Sequence, residues 1–115
     1  MSKYNAQSIY GTLFSMLDEL SDNDAGYLME NIFDDEFLKN IKESPKKAYD
    51  VLDTIVKNIE NGSNDKIAVL LKNYKDKIYM LKAMLKDYGE FSERHIRLTN
   101  TIKKLKEKRG NANGL

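Results

Sequence analysis

The chain has 115 residues, 41% apolar and 32% charged, with a net charge of +1; this is the make-up of one domain with one core, and it is too apolar for a disordered chain. It contains no cysteine and one histidine, which excludes disulfide frameworks, thiolate zinc sites and thiol catalysis. No apolar run approaches the roughly 18 residues of a membrane span, and Met1-Ser2-Lys3-Tyr4-Asn5-Ala6-Gln7 lacks the apolar stretch of a secretory signal, so a cytoplasmic protein is expected.

One proline and six glycines leave few interruptions, and Lys, Glu, Leu, Ile and Met favour helices. From Asn5 to Leu20 the residues Ala6, Ile9, Tyr10, Leu13, Met16, Leu17 and Leu20 recur at steps of three and four, predicting a first helix. Ser21-Asp22-Asn23-Asp24 offers cap oxygens for a second, whose buried face is Ala25, Leu28, Met29, Ile32 and Phe33. After Asp34-Asp35-Glu36, the residues Phe37, Leu38 and Ile41 predict a short third helix rather than a bent continuation. Ser44-Pro45 opens the next, with serine as cap and proline at the first helical position, and Ala48, Leu52, Ile55, Val56 and Ile59 form its stripe. Asn61-Gly62 stops it.

Ser63-Asn64-Asp65 caps a further, longer helical stretch, in which Ile67, Leu71, Tyr74, Ile78, Leu81, Leu85 and Tyr88 recur in a heptad-like 4-3 rhythm. Gly89 interrupts that seam; Phe91, His95, Leu98, Ile102 and Leu105 resume it in a new register. Either the helix breaks at Gly89, with Ser92 capping a new one, or it bends there; the break is favoured because glycine weakens a helix. The expected fold is all-α: four to six helices in one domain over 1–109, organised on a long C-terminal hairpin or bent helix, with a fraying tail at 110–115.

Charge is unevenly placed. Residues 1–62 carry six Lys and Arg against twelve Asp and Glu, net −6, and residues 63–115 carry thirteen against six, net +7. Two complementary halves that pack together satisfy this pattern. A sharper reading takes Lys103, Lys104, Lys106, Lys108 and Arg109 as a basic strip for nucleic-acid phosphates, although no aromatic residues interleave with it for base stacking. Asp34, Asp35 and Glu36 mark an acidic docking surface, with local stabilisation of helix starts as the simpler role for such carboxylates. Asp22-Asn23-Asp24-Ala25-Gly26 imitates the start of a calcium loop, but its ligand spacing, glycine position and missing final glutamate do not fit.

His95 lies between Phe91 and Leu98 on an apolar face, a place for a core or interface residue rather than a catalytic base. There is no glycine-rich phosphate loop, and neither a metal nor a cofactor is expected. The surface expected to meet a partner, another copy included, is the seam of Tyr74, Ile78, Leu81, Leu85, Tyr88, Phe91 and His95, because tyrosines and long apolar seams are favoured where proteins meet. Sixteen lysines to three arginines and eleven asparagines suggest an AT-rich bacterial or phage genome.

The helix start Phe91-Ser92-Glu93 with Leu98 following, the chain length and the helix count together resemble the antiparallel four-helix immunity proteins of bacteriocin producers. The likeness covers about a quarter of the chain. It implies a helical bundle with a protective binding role, and carries no functional residue onto this sequence. The function expected from the residues is that of a small non-enzymatic, regulatory interaction protein; the alternatives are a nucleic-acid accessory protein using the basic strip, and an immunity-like bundle.

Overall fold

The computed structural model describes residues 5–89, 101–102 and 104–105. Among them are six α-helices and one 3-10 turn: α1 Ala6–Asp18, α2 Asp22–Asn31, α3 Asp35–Glu43, α4 Pro45–Glu60, α5 Lys66–Leu71, the 3-10 turn Lys72–Tyr74 and α6 Lys75–Gly89. The described protein is an all-α bundle.

Each helix start has a local cause. The side chains of Asn5, Ser21, Asp34 and Asp65 accept hydrogen bonds from the backbone N–H groups of Ser8, Asp24, Phe37 and Ile67, satisfying donors that a first turn leaves free. Ser44 departs from expectation. It precedes Pro45 at the start of α4, but its side chain makes no cap bond. The same residue ends α3, where its N–H reaches the Asn40 carbonyl at 2.7 Å, and this holds it at φ −144°, ψ 66°, away from the extended geometry of the other caps. At the far end of α4, Gly62 adopts φ 72°. Its N–H donates to the Ile59 carbonyl and that of Ser63 to the Asn58 carbonyl, a paired closure that requires a left-handed residue.

The core is one cluster to which all six helices contribute, with Ile9, Leu13, Leu28, Phe33, Ile41, Leu52, Leu71, Ile78 and Leu85 all at 0–1% exposure. Among the described residues no polar or charged side chain is buried. Helix α6 lies mainly against α4 and also against α1, while α4 is flanked by α3 and α5. Two polar ties fasten the shorter elements: the Tyr10 hydroxyl donates to the Leu38 carbonyl at 2.7 Å, joining α1 to α3, and the Lys66 ammonium sits 4.1 Å from the centre of the Tyr27 ring, joining α5 to α2. Phe33 and Phe37 pack tilted with centroids 5.1 Å apart, filling the α2–α3 corner.

The segment after Asn64 is less continuous than its periodicity suggests. The seam survives as a burial pattern, but the helix tightens into the 3-10 turn at 72–74. This lets α5 bury Ala68 and Leu71 while α6 takes its own course along α4. The organising pair is therefore α4 with α6. The residues beyond Gly89 that bear on a break or a bend lie outside the described ones, as does the tail. No helix among the described residues is long and apolar enough to cross a membrane.

Candidate functional site

Polar and aromatic side chains gather where the outer edge of α4 meets α6. On α4, Tyr49, Asp53, Lys57 and Glu60 follow at steps of four, four and three, so one stripe beside the buried Leu52–Val56 face carries them all. On α6, Tyr79 and Lys82 stand one turn apart and face that stripe. The Lys82 ammonium donates to one Asp53 oxygen at 2.9 Å, and Lys57 approaches the other at 2.9 Å. Lys82 also lies 5.2 Å from the centres of both the Tyr49 and Tyr79 rings. The Tyr79 hydroxyl in turn donates to Glu60.

These contacts fix a charged cluster that is neither buried nor freely solvated. The side chain of Lys82 is only 12% exposed, that of Asp53 29% and that of Lys57 71%. The hydrogen bonds from Lys82, then Lys57, hold the Asp53 carboxyl down to about 2 against an ordinary 3.8. The same bond raises Lys57 above the usual lysine range. Tyr79 is raised above the usual phenol range, first because its hydroxyl donates a hydrogen bond to the Glu60 carboxylate. A ring 42% exposed at Tyr79 is thus locked in place by a carboxylate at its tip and an ammonium over its face.

The seam positions go elsewhere. Ile78, Leu81 and Leu85 are 0–1% exposed inside the chain's own core, which corrects the expectation that they face a partner: α4 and α1 already cover them. Tyr74 and Tyr88 are half-buried against the same core, and Phe91 and His95 lie outside the described residues. Of the basic strip, Lys104 is exposed, while Lys103, Lys106, Lys108 and Arg109 lie outside. Asp34 caps α3 through its 2.9 Å bond to the Phe37 N–H, with Asp35 and Glu36 exposed in the same turn. Asp34 and Glu36 also line an open cleft of about 300 Å³ with Ile32, Phe37, Lys47 and Val51. Asp22, Asn23 and Asp24, the imitation of a calcium loop, form the first turn of α2.

Tyr49 and Tyr79 fall at the edges of the apolar seams of their helices, and nothing in the sequence joins them. The signal was present in the polar stripe of α4, adjacent to its apolar one. What was missing was the pairing of α4 with α6. Comparison of the chain with protein-family models, curated proteins and solved structures finds no match.

Proposed function

We propose that the protein is a small non-enzymatic regulatory protein that works by binding a protein partner, with the α4–α6 tyrosine face as its contact surface. The observation that carries this reading is Tyr79: a large, half-exposed ring immobilised by Glu60 and Lys82. A pre-set tyrosine among polar groups loses little freedom when a partner covers it, which is what makes such residues energetic centres of interfaces. Tagged chain expressed in its host is expected to retain a discrete protein that the Tyr79→Ala variant loses, with unchanged helicity. Equal retention by both proteins would defeat the assignment to this face.

A second reading has its own support. The net charge of +7 over residues 63–115 and the exposed Lys104 suit a nucleic-acid accessory protein bound through Lys103, Lys104, Lys106, Lys108 and Arg109. Its test is a mobility shift at two salt concentrations with the four lysines changed to glutamine; unchanged binding would remove the strip from the account. A cytoplasmic role in a phage or bacterium accompanies both readings. Neighbouring genes separate them from an immunity-like role, which calls for a bacteriocin gene alongside.

A further inference from the structure

The corner where α2 turns into α3 meets the start of α4 at the open cleft of about 300 Å³. Its apolar lining is Phe37, buried at 4% exposure, with Ile32 and Val51 half-buried beside it. Its polar lining is rich in hydrogen-bond acceptors. Asp34 uses one carboxylate oxygen to cap the Phe37 N–H at 2.9 Å, which leaves the other as an acceptor, and Glu36 is exposed. Asn31 directs its amide N–H to the Tyr27 carbonyl at 2.8 Å, so its side-chain oxygen remains to accept. Among the described residues neither Asp34 nor Glu36 has an ion-pair partner. Residues 5–43 carry two lysines, Lys39 and Lys42, against nine carboxylates, net −7, and Lys39 already lies 3.6 Å from Glu43.

We propose that this cleft docks an arginine side chain of a protein partner, with the aliphatic stem against Ile32, Phe37 and Val51 and the guanidinium on Asp34 and Glu36. It is a second surface, built by α2, α3 and α4, and does not rest on the reading given to the α4–α6 tyrosine face. Charge complementarity selects the sign of the occupant: a net charge of −7 over residues 5–43 draws cations and turns away phosphates and anionic membranes. The lining selects its kind. A metal ion needs several converging ligands, and among the described residues no three His, Cys, Asp or Glu are grouped to hold one. A guanidinium has five N–H donors and no acceptor, the complement of two carboxylates and an amide oxygen, and an arginine stem packs on apolar surface while its head stays polar. At about 300 Å³ the open cleft sits at the lower end of what encloses a free small molecule, and so suits one side chain presented by a larger surface, where arginine is a favoured anchor. Lys47, on the α4 side, is the one cation among the described residues lining the cleft; it opposes a cationic occupant and would favour an anionic one.

The test is an NMR titration of the isotope-labelled full chain with N-acetyl-arginine amide, which presents the side chain as a polypeptide does. Three controls accompany it: N-acetyl-citrulline amide as the neutral isostere, N-acetyl-glutamate amide as the anion, and free arginine, whose own carboxylate meets the same acidic walls. The arginine amide is expected to bind with a Kd on the order of 1 mM, to shift the Phe37 and Val51 signals, and to bind at least about twofold more weakly when ionic strength rises tenfold. Free arginine should bind at least about twofold more weakly than the amide, and the citrulline and glutamate probes should leave those signals in place. Glu36→Gln, and Asp34→Asn, which keeps a side-chain oxygen to cap α3, should each weaken the arginine amide about threefold, whereas Lys47→Gln should tighten it about twofold. That opposite response is one a general loss of folding does not produce. Val51→Ser, with helicity unchanged, should also weaken binding, because the stem loses its seat. The Tyr79→Ala variant is expected to bind the probe as the parent does, so the cleft and the tyrosine face fail or stand separately. Citrulline binding as tightly as arginine, no shift at Phe37 and Val51, weaker binding with Lys47→Gln, or loss of binding with Tyr79→Ala would overturn the proposal.

Discussion

Replacing Asp53 by asparagine removes the charge that joins Lys82 and Lys57 while keeping the side chain's size. A carboxyl held at about 2 rather than 3.8 corresponds to a ceiling of about 2.4 kcal/mol, at about 1.36 kcal/mol for each pH unit. Asp53 is 29% and Lys57 71% exposed, and solvent screening reduces this to about 1.5 kcal/mol at pH 7. Because the folded-state value is the lower one, the stabilisation is complete above the unfolded value and is lost as pH falls through 3.8 toward 2. The parent-minus-variant difference in urea unfolding is therefore expected to be about 1.5 kcal/mol at pH 7 and to shrink to about half of that at pH 3. Taking the difference cancels acid effects shared by both proteins. A difference below about 0.3 kcal/mol at pH 7, or one equally large at both pH values, would refute the clamp reasoning.

Other predictions concern local features. Asp34→Ala is expected to cost about 1 kcal/mol because its carboxylate caps α3, and Ser44→Ala less than about 0.5 kcal/mol because its side chain caps nothing; chemical denaturation compares the two. Gly62→Ala should destabilise by about 1 kcal/mol, since φ is 72° there. Gly11→Ala, inside α1 with nothing within 4 Å of an added Cβ, should raise the melting temperature through a gain of about 0.5–1 kcal/mol. Leu52→Ala, at 0% exposure on the face of α4, is expected to lose about 3–4 kcal/mol in urea unfolding, whereas Val69→Ala, 55% exposed, stays within about 0.5 kcal/mol.

Much of the architecture was legible because the helix signals are local. Ser21, Asp34 and Asp65 combine cap chemistry with an apolar period that starts just after them, and Asn61-Gly62 ends α4 by a backbone requirement that the residues themselves declare. The failures share a different cause. Ser44 looks like a cap, yet closing α3 and opening α4 at one residue fixes its backbone where the side chain cannot reach. Ile67 to Tyr88 reads as one seam because burial has a helical period on both sides of the 3-10 turn, and periodicity does not register a tightening of one turn. The seam also could not announce its own occupant: Ile78, Leu81 and Leu85 suit a partner helix as well as α4, and only the tertiary pairing decides. The same holds for the candidate site, where Tyr49, Asp53 and Lys57 on one helix gain meaning from Lys82 and Tyr79 on another.

The interaction role is tested most directly by a photo-crosslinking amino acid at position 79, in the α4–α6 face, and at exposed position 39 on α3 as a reference. Irradiation in the native host is expected to give one discrete protein adduct from position 79, absent from position 39 and lost when Glu60 and Lys82 are also changed to alanine. Adducts equally abundant from both positions, or none from position 79 while the chain is abundant and folded, would contradict the account.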